Sequence, residues 1–139
     1  MTYTGSCACG AITLSITGEV IASRQCWCRQ CQQIASGGPT NNATFPTENV
    51  RIDGDVASGT FTAASGSTVT QAFCPKCGVH LYGQSSARPH LLSVRLGALD
   101  ERHGIEPTMA IWTDDAPDWA LIDPKLENVA RQPAPPKMD

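Results

Sequence analysis

The chain has 139 residues, enough for one domain with a real core but few enough that metal staples would add materially to its stability. Hydrophobic residues make up 41% and charged residues 17%, which excludes an intrinsically disordered chain, while twelve Gly and ten Pro favour short strands and turns over long helices. A formal net charge of −3, with only ten basic residues spread thinly, leaves no electrostatic footprint for a phosphate backbone, so nucleic acid is not an expected partner.

In chain order, residues 1–10 (MTYTGSCACG) show neither a charged leader nor an apolar run. No window approaches the roughly 20 apolar residues of a membrane span, so no membrane is expected and a cytoplasmic location is. Ile12, Leu14 and Ile16 alternate with Thr13, Ser15 and Thr17, which predicts a strand with one buried face, ended by Gly18. A short helical turn fits after Cys28, stopped by Ser36-Gly37-Gly38-Pro39. From Ala43 to Ala72, apolar stretches near Phe45, Val50–Ile52, Phe61 and Val69 are separated by Asp-Gly and Ser-Gly turns and predict small antiparallel strands. Leu81-Tyr82, then Leu92, Val94 and Leu96, then Ile111-Trp112 give the last strand signals. The expected fold is therefore mainly β: a single domain of short antiparallel strands and small sheets over residues 1–130. Pro133, Pro135 and Pro136 make residues 131–139 a Pro-rich extended tail.

The seven cysteines fall into three tight clusters. An odd number, in a compartment that disfavours structural disulfides, points to metal ligands or reactive thiols. Cys7 and Cys9 form a C-x-C pair and Cys74 and Cys77 a C-x-x-C pair, each followed by a glycine, Gly10 or Gly78, able to take the positive φ that a chelating turn demands. Together they supply four sulfurs, a closed tetrahedral shell with no room for substrate, and a structural zinc-knuckle role is expected for them. Cys26, Cys28 and Cys31 form C-x-C-x-x-C, compact enough to meet one ion and leave a coordination position open, as catalytic zinc sites do. Three thiolates make a weak Lewis acid for water but a good holder of an incoming thiolate, so the nucleophile would come from the substrate. The plainer alternatives are that the first four are small buried hydrophobes and that the triplet is merely buried or oxidised. His80, three residues after Cys77, is nearest a cluster in sequence but is not expected to be a ligand, His90 and His103 are read as solvated residues, and Trp112 and Trp119 as packing residues.

Four blocks then carry a resemblance: Gly5-Ser6-Cys7-Ala8-Cys9-Gly10, Cys26-Trp27-Cys28-Arg29-Gln30-Cys31, Phe73-Cys74-Pro75-Lys76-Cys77-Gly78 and Gly97-Ala98-Leu99-Asp100. In them the chain resembles the glutathione-dependent formaldehyde-activating enzyme family, whose relatives include centromere protein V. The resemblance implies a mainly β fold with two zinc ions per chain, a structural one on Cys7, Cys9, Cys74 and Cys77 and a more labile, catalytic one on Cys26, Cys28 and Cys31. It also implies a carbon–sulfur lyase reaction joining glutathione, a small-molecule thiol partner, to formaldehyde. Departures from the family pattern surround the ligands. Trp27 and Ala110 stand where histidine is common, Gln30 where an acidic residue is frequent, and Gln32 and Gln33 where basic side chains are usual. Two other classes compete with the enzyme: a noncatalytic zinc-stabilised binding module with a vestigial second site, and a thiol redox or metal-storage protein.

Overall fold

The computed structural model describes residues 1–137; Met138 and Asp139, the end of the expected tail, lie outside the described residues. Among the described residues eleven strands and one short α-helix follow one another, and the chain is mainly β, as its alternations and turns predict. The strands are β1 (Thr2–Ser6), β2 (Thr13–Thr17), β3 (Ala22–Cys26), β4 (Thr40–Pro46), β5 (Val50–Asp53), β6 (Ala57–Thr62), β7 (Thr68–Phe73), β8 (His80–Ser85), β9 (Leu91–Arg95), β10 (Met109–Ile111) and β11 (Glu127–Val129). The helix α1 spans Arg29–Ile34. No helix among the described residues is long and apolar enough to cross a membrane.

Strands β1, β2 and β5 form a three-stranded antiparallel sheet, and the other eight form a second sheet in the order β11-β10-β3-β4-β9-β8-β7-β6. The pairings in the large sheet are antiparallel except at one edge, where β10 lies parallel to both β3 and β11. Those two parallel pairings depart from the expected all-antiparallel arrangement. They arise because the long connections before β10 and β11 bring each strand back in the same direction, which local periodicity does not report.

The two faces of the large sheet have opposite character, and β4 shows why. Its residues alternate between Ala43 and Phe45, which enter the core, and Thr40, Asn42 and Thr44, which turn to the other side. Cross-strand register carries the division outward: Phe45 opposes Leu92 and Ala43 opposes Val94, whereas Asn42 opposes Arg95 and Arg24. The apolar face is covered by the small sheet, whose Tyr3, Leu14 and Ile16 complete the main core. Tyr3 and Phe45 join the layers, their rings 5.5 Å apart and tilted by 57°. The polar face is left to build the site.

Gly5 is required where β1 crosses the segment after β9. A Cβ there would lie 2.1 Å from the Ala98 carbonyl oxygen. The Asp100 amide donates to the Thr4 carbonyl at 2.9 Å, and the Thr4 hydroxyl donates to the Asp100 carboxylate. The Gly97-Ala98-Leu99-Asp100 block thus serves as a clamp that ties the small sheet to the large one.

Candidate functional site

The first cysteine cluster is made by two facing turns. After β1, the Gly10 amide donates back to the Cys7 carbonyl at 3.3 Å, and Gly10 takes φ +79°. After β7, the Gly78 amide donates to the Cys74 carbonyl at 2.8 Å, and Gly78 takes φ +78°. Both glycines therefore occupy the conformation their positions predict, and neither would accept a side chain without strain. The turns bring the four sulfurs of Cys7, Cys9, Cys74 and Cys77 within 4.8 Å of one another. Cys7 lies 3.6 Å from Cys9, and Cys9 lies 3.7 Å from Cys74. Ligand bonds of about 2.3 Å in a tetrahedron set sulfurs about 3.8 Å apart, so these separations fit one ion. They are far too long for a disulfide, which needs about 2 Å. The backbone amide of Val79, followed by that of Cys9, lowers the Cys77 thiol to about 6, which favours the thiolate a metal requires.

The second cluster sits on the polar face of the large sheet. Cys26 ends β3, Cys28 is the N-cap of α1, and Cys31 occupies the first turn of that helix. The Cys31 amide donates to the Cys28 sulfur at 3.4 Å, which fixes the loop that brings all three sulfurs within 4.8 Å. Cys26 and Cys31 are buried and Cys28 is half-buried. Hydrogen bonds from the Cys26 and Cys28 thiols lower the Cys31 pKa, with the Thr40 hydroxyl and the Arg95 charge assisting against burial. The same neighbours, Cys28 first and then Cys31, push Cys26 up, and burial adds to this. Three thiols in contact thus favour one thiolate and resist a second, and full ionisation requires a cation among them. The donor set fits a zinc ion, with three sulfurs to hold it and one side facing a cavity.

That cavity has a volume of about 390 Å³. Its inner wall carries the three cysteines, and its sides carry four arginines, Arg24, Arg29, Arg88 and Arg95, against one carboxylate, Asp115. The ion pairs among the described residues are Met1–Glu19, Arg51–Asp53 and Arg131–Asp114, and none involves a cavity arginine. Phe61, Val69, Leu91 and Ile111 supply apolar surface.

Arg95 links the cavity to the thiols. It is 8% exposed, and its Nη1 donates to Asn42 Oδ1 at 2.6 Å while its Nη2 donates to Gln71 Oε1. Asn42 donates to the Thr40 hydroxyl at 3.0 Å, which donates to the Cys31 sulfur at 3.0 Å. A single hydrogen-bonded chain therefore runs Gln71–Arg95–Asn42–Thr40–Cys31, from β7 through β9 and β4 to α1. Both acceptors of the guanidinium are neutral, and its Nε has no partner. Burial lowers the Arg95 pKa, while the negative charge of the cysteine cluster, Cys31 first, opposes that shift. Gly83 leaves room for this arrangement: a Cβ there would meet Gln71 Oε1 at 3.1 Å and Arg95 Nη2 at 3.2 Å.

None of Thr40, Asn42, Gln71 or Arg95 is singled out by sequence spacing. The one available signal was polar residues at period two in β4, on the face opposite Ala43 and Phe45. Gln32, which stands where a basic residue is usual, is buried and donates to the carbonyls of Trp27 at 2.7 Å and Asp115 at 2.9 Å, bracing α1. Trp27 is buried, its indole donating to Gln25 at 3.1 Å, and Trp112 lines the cavity. Trp119, expected to pack, is 68% exposed. His80 joins neither cluster; it stacks on Phe73 with ring centroids 5.4 Å apart.

The fold and site define a mainly β protein with two all-sulfur clusters suited to metal ions, one closed and one beside a cavity. Residues 2–115 match the glutathione-dependent formaldehyde-activating enzyme family, and the chain belongs to that family. Membership supports a glutathione-dependent formaldehyde-activating function in general terms. The fold is also similar to that of a crystal structure of a Rhodobacter sphaeroides protein, a structural genomics target. The TM-score is 0.57 and the identity 22%, over 75% of this chain and 91% of that one. No curated protein sequence matches this chain.

Proposed function

We propose that this protein is a zinc-dependent enzyme of the carbon–sulfur lyase type that makes and breaks the adduct of a small-molecule thiol with a small aldehyde, glutathione and formaldehyde being the first pair. The observation that carries this reading is the three-sulfur cluster opening onto an arginine-lined cavity. In the proposal Cys7, Cys9, Cys74 and Cys77 hold a structural zinc ion, and Cys26, Cys28 and Cys31 hold the catalytic one. When bound, the second ion supplies the charge that keeps an incoming thiol deprotonated near neutral pH.

The protein's own residues bind, orient and screen. Arg24 and Arg88 offer guanidinium groups to the carboxylates of a peptide thiol, a pairing for which the planar fork is suited. Arg95 offsets the negative charge of the cysteine cluster, so that another thiolate can approach at lower electrostatic cost. Phe61, Leu91 and Ile111 exclude water from the reacting pair. In the forward direction the thiol sulfur forms a bond to the carbonyl carbon, the carbonyl π bond breaks, and the proton lost by the thiol ends on the former carbonyl oxygen. Proximity supplies most of the acceleration, since two dilute reactants meet in one cavity. A reducing compartment, the cytoplasm, is the proposed location, and neither nucleic acid nor membrane enters the reading.

The test is ¹³C exchange spectroscopy on formaldehyde and glutathione at equilibrium with their adduct. Zinc-loaded protein is expected to speed exchange between free and adduct signals above the spontaneous rate, and Cys28→Ser is expected to abolish the increase. Glutathione binding without faster exchange would favour a noncatalytic binding module.

A further inference from the structure

The family match ends at residue 115, but the cavity does not. After Ala116 the chain runs through irregular structure and returns as β11, parallel to β10 with Ile111 opposite Val129. Val129 packs in the small apolar cluster around Cys26, Cys31 and Ile111. The chain then runs along the cavity, which Gln132 and Pro136 line together with the three cysteines.

This segment is anchored at four of its residues, Ala130, Arg131, Gln132 and Ala134. The Asp114 amide donates to the Ala130 carbonyl at 3.2 Å, and the Trp112 amide donates to the Arg131 carbonyl at 3.3 Å. The Trp112 indole donates to the Gln132 side-chain oxygen at 3.0 Å, and Arg24 Nη2, from inside the cavity, reaches the Ala134 carbonyl at 3.4 Å. Pro133, Pro135 and Pro136 restrict the segment to extended conformations before it docks, so little entropy is lost in holding it there. Trp112 itself sits at φ 56° and ψ 35°, left-handed geometry that is uncommon for a bulky side chain. Its two bonds to the crossing segment hold that conformation and turn the indole to the cavity.

We propose that residues 127–136, with Trp112, form a specificity wall that restricts the cavity to thiol adducts of compact aldehydes. The side chains the wall presents to the cavity, an indole, a carboxamide and a proline ring, are neutral, so it selects by shape. Charge selection is left to the arginines behind it. Branched or aromatic substituents on the reacting carbon would meet Trp112 and Pro136, whereas formaldehyde and similarly small aldehydes pass. The aldehyde half of this inference rests on the proposed reaction; the steric half does not.

The experiment uses full-length, zinc-loaded protein, wild type and Gln132→Ala/Pro136→Ala, which trims the wall's exposed and half-buried side chains and leaves its backbone anchors. Peptide mass spectrometry of residues 25–29 follows modification of Cys28 by iodoacetamide and by the much larger fluorescein maleimide, each rate normalised to that of the unfolded chain. Wild type is expected to disfavour the larger reagent, and the variant to relax that preference by about tenfold or more, the scale on which a pocket discriminates by shape. An unchanged size preference would overturn the wall. In parallel, the exchange rate with benzaldehyde relative to formaldehyde is expected to rise in the variant, and an unchanged ratio would overturn the aldehyde filter. If wild type turns over no aldehyde yet shows the size preference and its relaxation, the reaction fails and the steric wall stands.

Discussion

Arg95 is buried with no carboxylate beside it, and the sulfur cluster makes that tolerable. Its removal should therefore cost more than the loss of a surface charge. Arg95→Gln is expected to lower unfolding stability by about 3 kcal/mol, the scale for breaking a buried charge pair, and to speed zinc release from the triplet. Denaturant unfolding and a chromogenic chelator report the two effects. Thr40→Val keeps the shape but removes the donor to Cys31, and a milder loss of about 1 kcal/mol is expected by the same unfolding measurement. Two glycines give a sharper contrast. Gly5→Ala would drive a methyl group into backbone and should unfold the protein or leave it aggregated, whereas Gly83→Ala meets only side-chain ends and should leave a folded protein with displaced Arg95 and altered thiol affinity. Circular dichroism and calorimetry separate these outcomes. His80 sets a pH limb. Burial first, then the Arg95 charge, lowers its pKa from the ordinary 6.5, so the unfolded chain binds its proton more readily than the folded one. Its contribution is complete above about pH 6.5 and is lost as pH falls through the lower folded value. The wild type should thus lose stability on mild acidification more steeply than His80→Phe, measured by midpoints of thermal unfolding.

Among the elements, the two cysteine sites should fail differently. The first cluster joins the turn after β1 to the turn after β7 and puts Cys7 and Cys74 in the main core, so Cys74→Ser is expected to unfold or aggregate the chain. Cys28 caps a six-residue helix at the sheet's far face, and Cys28→Ser is expected to give a folded protein with less zinc. Metal analysis and circular dichroism on the pair check this, and equal instability of the two would remove the division of labour. The same elements show what sequence can and cannot report. The turns of the first cluster were legible, because chelation geometry demands a glycine at a fixed offset and Gly10 and Gly78 both supply it. Strand β2 and the helical turn after Cys28 were legible for similar local reasons. Strand β3 was not: Ala-Ser-Arg-Gln-Cys has no apolar alternation, since its two buried residues are Ser23, bonded to the Glu106 carbonyl, and Cys26, on the site's side of the sheet. Strand β1 is interrupted by Gly5, which reads as a breaker until its crossing partner is known. Strand β11 is three residues long and exists through its parallel pairing with β10, which only the fold provides. Leu96 and Trp112, read as strand residues, fall just past the ends of β9 and β10, in a 3₁₀ turn and a left-handed residue.

At the scale of the whole molecule, one sheet separates two environments. One face is sealed by the small sheet; the other gathers cysteines, arginines and amides into a cavity. The net charge of −3 conceals this, because Asp115 is the one acidic residue in the cavity lining while the arginines converge from β3, α1, β9 and the loop before β9. A concave site whose flanks carry four arginines against one carboxylate attracts anionic ligands, so thiol binding should weaken as salt rises, by calorimetry across ionic strengths, and Arg24→Gln/Arg88→Gln should flatten that dependence. The central claim is that the triplet is a second, open metal site that takes a substrate thiol. The most direct measurement is zinc per chain on anaerobically purified protein, with free thiols counted before and after glutathione is added. Two ions per chain, one of them labile and protected by glutathione, is the outcome expected of such a site. One tight ion, with Cys26, Cys28 and Cys31 free and indifferent to glutathione, would contradict it.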